Sequence, residues 1–309
     1  MNKGVLLDQI TLGQDIDLAP LSDLFASWHS FKTTSPEQIV VRCHDAHFII
    51  TNKVVLTEQL LTALPQLKVI GVAATGMNNI DLACAKKLGI DVVNVKGYGD
   101  QSVAQHTFTL LLQLIGRSRP YQAYIDNNDW PNSAFFSCLD FTTYELQDKT
   151  LGIVGYGGLG QAVAKIARAF GMNIMISERP NSNIVRQGRV PFETLLKKSD
   201  VVSLHCPLTT DNQHLIDENA LALMKPSALL LNTARGPLID EQALLNALTN
   251  NSIAGAALDV LSQEPPPPNH PLLSYQGDNL IITPHIAWAA REARQRLIAM
   301  LANNLSTYL

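Results

Sequence analysis

Gly155-Tyr156-Gly157-Gly158-Leu159-Gly160 decides the reading of this 309-residue chain. The run has the form G-x-G-x-x-G and follows Leu151-Gly152-Ile153-Val154, an apolar stretch that reads as a strand. Beyond it Ala162, Val163, Ile166, Ala167 and Phe170 recur at helical spacing. A second apolar run, Ile174-Met175-Ile176, then leads to an acid, Glu178, 18 residues past Gly160. In such a strand–turn–helix the first glycine permits the tight turn. The second lets the backbone approach a pyrophosphate, and the third lets helix and strand pack closely. Free N–H groups and the dipole at the helix start hold phosphate charge. The acid is placed to accept from a ribose 2′-hydroxyl. Glycines alone also serve turns; the strand before, the helix after and the acid beyond make this a predicted dinucleotide site built on Gly155, Gly157, Gly158, Leu159, Gly160 and Glu178.

Working outward, strands are predicted at Val201–Leu204, Ala228–Asn232, Ala254–Leu258 and Asn279–Ile282, with helices between them, one starting near Asp240-Glu241. Before the glycine run, His47–Thr51, Lys68–Ala73 and Asp91–Val95 read as strands. Asn79–Leu88 reads as a helix closed by Gly89, and Ser102–Ile115 as a helix with Ser102 as N-cap. The alternation predicts an α/β protein with parallel sheets. Residues 118–148 are less regular and hold seven aromatic residues, among them Trp130, Phe135 and Phe136. They are expected to form an interface arm, the other reading being a long connection packed on its own domain. The four prolines Pro265–Pro268 predict a stiff connection, and Ala290–Leu309 a helix with no strand after it.

Composition narrows the function classes. With 46% hydrophobic and 16% charged residues, the chain can build a core, and 309 residues suggest two domains. A net charge of −4 without a basic block argues against nucleic acid as a partner. No apolar run nears the roughly 20 residues of a membrane span, and Asp8 interrupts the N-terminus too early for a secretory signal. Cys43, Cys84, Cys138 and Cys206 form no C-x-x-C pair, and no two histidines pair on a helix, so no metal is assigned. A cytoplasmic protein with reduced thiols is expected.

Polar residues follow three of the later strands: Arg235 after Leu229–Thr233, Asp259 after Ala254–Leu258 with Glu264 five residues on, and His285 after Leu280–Pro284. In open parallel sheets the carboxyl ends of the strands share one crevice, so these residues are expected to converge there. Their types suit reduction of a 2-oxo acid. A histidine can supply a proton near neutral pH, a neighbouring carboxylate favours imidazolium and orients the ring, and a guanidinium grips a carboxylate. Asp259 would hold the nicotinamide amide or a neighbouring dipole. Singly, each residue also has a bland reading as a cap, a turn former or a surface charge.

The chain resembles the D-isomer-specific 2-hydroxyacid dehydrogenases over nearly its whole length. The resemblance rests on Val72–Asp81 (V-A-A-T-G-M-N-N-I-D), Ser102–His106, the glycine run, His205–Thr209 (H-C-P-L-T) and Asn232–Gly236 (N-T-A-R-G). It continues through Leu258–Val260, Glu264-Pro265 and Thr283–Trp288 (T-P-H-I-A-W). It implies Arg235, Glu264 and His285 as catalytic residues, and substrate binding by Arg235, His285 and the backbone N–H groups of Thr75 and Gly76. It implies dinucleotide contacts at Gly158, Leu159, Glu178, Cys206, Thr233, Ala234 and Asp259. The implied fold is two Rossmann-like domains separated by a deep cleft, usually in a homodimer. Residues 1–98 plus 288–309 would form a discontinuous substrate domain, and 99–287 the NAD-binding domain with an arm at about 118–148. Hinges are expected near Gly97–Gly99 and Ile286–Ala289. Within the family, Thr283–Leu297 is similar to the glycerate dehydrogenase branch, which reduces hydroxypyruvate with NADH. Glyoxylate would be a second substrate, and Glu264 argues against the formate dehydrogenases, where an amide replaces it. Alternatives are another specificity (glyoxylate, D-lactate, phosphoglycerate) or an NADH-binding corepressor. Glu178, where the family often has Asp, favours NAD over NADP by repelling a 2′-phosphate, although Arg179 beside it would partly accommodate one.

Overall fold

The computed structural model describes residues 2–180, 182 and 184–309. The chain divides into two compact units, residues 1–99 with 288–309, and residues 100–287. Each is built on its own parallel sheet.

The first unit's sheet contains β1 (Lys3–Leu6), β2 (Ser27–Ser30), β3 (Phe48–Thr51), β4 (Val69–Val72) and β5 (Asp91–Val93) in the order β2-β1-β3-β4-β5. Period-2 alternation sends side chains to opposite faces, and both faces are covered. Val5, Ile49, Ile70 and Val72 pack with Ile39, Leu61 and Ala85 on one side. Leu6, Phe48, Ile50 and Val69 pack with Leu297, Leu301 and Leu305 of the helix Arg291–Ser306 on the other. Burial on both faces is why the strands read as continuous apolar runs. The strand order reverses between β1 and β3, where an open α/β sheet usually takes a ligand. Here the chain supplies its own anion. The buried carboxylate of Asp8 accepts from the N–H groups of Asn52 (3.0 Å), Lys53 (2.6 Å) and Val54 (3.1 Å) and from the Thr51 hydroxyl (3.2 Å).

The second unit's sheet holds β6 (Thr150–Val154), β7 (Asn173–Ile176), β8 (Val201–Leu204), β9 (Leu229–Asn232), β10 (Gly255–Leu258) and β11 (Leu280–Ile282), in the order β11-β10-β9-β8-β6-β7. Leu204, Leu230 and Leu258 face a core with Leu195, Leu221 and Leu244. Ile153, Leu231 and Ile281 face another with Phe108, Leu111 and Val163. The chain reverses direction across the sheet between β6 and β8.

Several predicted boundaries change. The helix expected from Ser102 starts at Asp100, and Ser102 is not its N-cap: it is buried inside the helix and its hydroxyl donates to Ala287 O at 2.6 Å. The helix expected from Asn79 begins at Leu82, because Asp81 accepts from Cys84 N at 2.9 Å and stops it extending further back. Residues 118–148 contain a helix, Ser118–Asp126. The irregular part after it is pinned to itself by Tyr121, whose hydroxyl donates to Phe141 O at 2.8 Å, yet Phe135, Phe136 and Leu139 are exposed. Among the described residues no helix is long and apolar enough to cross a membrane.

Candidate active site

A cavity of about 890 Å³ opens at the switch point of the second sheet. Residues 154–157 leave β6, residues 177–180 leave β7 and residues 205–207 leave β8, and all three exits line it. The glycine run makes this close convergence possible. Gly155 has a left-handed φ of 95°, and a Cβ there would lie 2.5 Å from Cys206 N and 2.6 Å from the His205 carbonyl. Gly160 packs its Cα against Gly155 O. Gly157 has open space on the side where a Cβ would stand, at the cap of the helix Gly158–Ala169. The turn and packing glycines are thus sterically required, and the middle one leaves room for a phosphate to approach helix-start N–H groups. The residues present fit a dinucleotide.

The walls are chemically quiet around β8. His205 is buried, bonded through Nε2 to the Ser203 hydroxyl at 2.8 Å, and among the described residues its Nδ1 has no partner. Burial pushes its pKa down to about 4, so the ring is neutral at pH 7. Burial also raises the Cys206 thiol, which stays protonated. Opposite stands Glu178, 3% exposed. Its Oε1 accepts from Arg179 N (2.8 Å) and Arg186 Nη2 (2.5 Å), and its Oε2 from Arg186 N (3.2 Å) and Nε (2.7 Å). The Arg186 guanidinium, aided by the Arg179 N–H, holds this carboxyl well below the usual carboxylate range. Arg186 reaches Glu178 because the loop folds back: Val190 bridges Ser177, and Glu178 N donates to Val190 O at 2.7 Å. Sequence reasoning weighed Arg179 and missed Arg186 and Arg189, both of which line the cavity. Three arginines within residues 179–189 were the available signal.

The predicted catalytic residues follow three neighbouring strands. Leu258 pairs with Asn232 on one side and Ile282 on the other, so the exits of β9, β10 and β11 lie side by side. Asn232 shapes the turn carrying Arg235: its Oδ1 accepts from Ala234 N (3.0 Å) and its Nδ2 donates to Arg235 O (2.8 Å). The next residue, Gly236, presses directly on the Leu261 carbonyl and Ser262 N, leaving no space for a Cβ. That contact brings the Arg235 turn against the loop bearing Glu264. Glu264 in turn accepts from Leu261 N at 2.9 Å through Oε1 and meets His285 Nδ1 at 2.6 Å through Oε2. An ionised carboxylate only accepts, so in this contact Nδ1 carries the proton.

His285 itself sits at a left-handed φ of 53°, uncommon for a residue other than glycine. Asp259 stabilises this conformation from below. Its carbonyl accepts from His285 N (2.8 Å), and its buried carboxylate accepts from Thr283 Oγ1 (2.5 Å), Ile286 N (3.0 Å) and Ala287 N (2.8 Å). His106 Nε2 lies 3.3 Å from the same carboxylate. Burial opposes the charge on Asp259, but His106, Thr283 and the two N–H groups outweigh it and keep the carboxyl below its ordinary range. Asp259 therefore shapes the His285 turn. His106, in the Ser102–His106 motif, has its role revealed only by this fold. Thr233 meets Thr107 at 3.2 Å, and Ala234 is buried beside it; neither lines the cavity, nor do Gly158, Leu159 and Gly160. Thr75 and Gly76 follow β4 in the first unit, where Thr75 donates to Val95 O at 2.8 Å. Among the described residues no group of three His, Cys, Asp or Glu side chains is arranged to hold a metal ion.

A glycine-lined cavity at the exits of β6–β8 and strand-end Arg, Glu and His at the exits of β9–β11 of the same sheet define a dinucleotide-dependent dehydrogenase class. The family model of the D-isomer specific 2-hydroxyacid dehydrogenase NAD binding domain matches residues 108–287. The chain belongs to the D-isomer-specific 2-hydroxyacid dehydrogenases. It is 42% identical over 285 residues to a glycerate dehydrogenase of Methylorubrum extorquens (91% of this chain, 90% of that one). It is 37% identical over 279 residues to a hydroxypyruvate reductase of Blautia hydrogenotrophica (89% and 86%). The structure of a D-lactate dehydrogenase from Aquifex aeolicus, complexed with NAD and lactic acid, is similar with a TM-score of 0.83 at 30% identity (99% and 95%).

Proposed function

We propose that this chain reduces hydroxypyruvate to D-glycerate, with glyoxylate as a second substrate, as a cytoplasmic homodimer. The observation that carries the reading is the 2.6 Å contact of Glu264 with His285, at the carboxyl end of the sheet whose switch point opens the glycine-lined cavity. When bound, NADH supplies the hydride. The glycine turn and the N-terminus of the following helix hold its pyrophosphate, and Cys206, Thr233, Ala234 and Asp259 belong to the surrounding shell. Arg235 grips the 2-oxo acid carboxylate and polarises the carbonyl, and the backbone N–H groups of Thr75 and Gly76 bind the same carboxylate. Protonated His285 gives its Nε2 proton to the nascent alkoxide while Glu264 holds Nδ1 and stabilises the imidazolium. The relatives named glycerate dehydrogenase and hydroxypyruvate reductase support the substrate, and exposed Phe135 and Phe136 support a self-interface.

The test is steady-state kinetics with hydroxypyruvate, glyoxylate and pyruvate, alongside His285→Ala. The variant is expected to lose roughly 100-fold or more in kcat, a general-acid contribution, with NADH affinity nearly unchanged. Equal losses in turnover and affinity would assign His285 a structural role. NADH binding without turnover of any 2-oxo acid would favour the corepressor reading.

A further inference from the structure

The carboxylate expected to read the ribose is already saturated. A carboxylate offers about four acceptor positions. In Glu178 these are filled by Arg179 N and by the N, Nε and Nη2 of Arg186. Its charge is also matched by the bidentate guanidinium, so the repulsion that would reject a 2′-phosphate is cancelled at its source. Two more guanidinium residues, Arg179 and Arg189, line the same cavity, and Arg189 is anchored to Ser177 O at 3.0 Å. Besides Glu178, the acid in the lining is Asp211, in the segment that follows β8. In this fold the position after the second strand of the nucleotide unit reads the 2′ substituent, an acid selecting the hydroxyl and an arginine the phosphate.

We propose that Arg186 is the specificity-determining residue of this cavity: it masks Glu178, and with Arg179 and Arg189 it makes the site accept the 2′-phosphate of NADPH at least as well as the 2′-hydroxyl of NADH. The inference rests on the cavity being the dinucleotide site and revises the preference for NADH that Glu178 alone suggests.

Calorimetric titration of the purified protein with NADH, NADPH and 2′,5′-ADP tests it without reference to turnover. NADPH is expected to bind as tightly as NADH or more tightly, and 2′,5′-ADP to compete with both. Arg186→Ala is expected to weaken NADPH at least tenfold while NADH changes less than threefold or tightens, because the acid is unmasked. Glu178→Gln is expected to leave NADH binding within threefold. NADH binding at least tenfold tighter than NADPH in the unaltered protein, or a tenfold loss of NADH binding in Glu178→Gln, would overturn the proposal. If neither dinucleotide binds, the assignment of the cavity itself fails. Should Arg186→Ala lose its folded circular dichroism, Arg179→Ala and Arg189→Ala serve instead, each expected to weaken NADPH selectively.

Discussion

At the scale of single residues, burial sets the form that His205 takes. His205 accepts a proton only near pH 4 in the folded protein, against 6.5 for a free ring. The unfolded chain therefore binds more protons between those values. Stability is fully present above pH 6.5 and falls as pH drops toward 4, by up to about 1.4 kcal/mol per pH unit. Thermal unfolding at pH 7 and pH 5 should show this slope, and His205→Gln should flatten it. Identical slopes in both proteins would mean that other groups dominate the acid limb. The pairing of Glu264 with His285 is a different kind of contact, partly exposed on both sides. The residue types for this chemistry were visible in the sequence. The masking of Glu178 was not, because it depends on a loop returning eight residues later to the same carboxylate.

At the scale of elements, the site depends on how closely strand exits approach. Gly236 against Leu261–Ser262 fixes the spacing between the Arg235 turn and the Glu264 loop. Gly236→Ala should push these loops apart, cost about 1–3 kcal/mol as overpacking does, and reduce kcat/KM for the 2-oxo acid more than dinucleotide affinity. Unchanged kinetics would show that the two loops move independently. Strands β6 and β8–β11 were legible to within a residue or two because buried parallel strands leave unbroken apolar runs. β1 and β2 went unread: β1, Lys-Gly-Val-Leu, opens on a charge and a glycine, and β2, Ser-Trp-His-Ser, is an edge strand exposed at three of its four positions. The start of the helix at Asp100 was misplaced because Ser102 spends its hydroxyl on Ala287, 185 residues away, and no local pattern encodes that contact.

At the scale of the whole molecule, Phe135, at 75% exposure, Phe136, at 91%, and Leu139, at 85%, stand out on an arm that its own hydrogen bonds hold in shape. In the proposed homodimer a second copy covers this apolar surface. Phe135→Ser with Phe136→Ser should convert a dimer to a folded monomer in sedimentation velocity, and an unaltered protein that sediments as a monomer would sink the arm's role. The first unit has its own dependence. One face of its sheet is covered by Leu297, Leu301 and Leu305, from a helix encoded after the entire second unit. During translation at about 5–20 residues per second, Leu6, Phe48, Ile50 and Val69 wait roughly 10–40 s for their covering helix while residues 100–287 are made. The second unit can complete its core first, whereas the first unit's sheet keeps this apolar face uncovered until the last residues emerge.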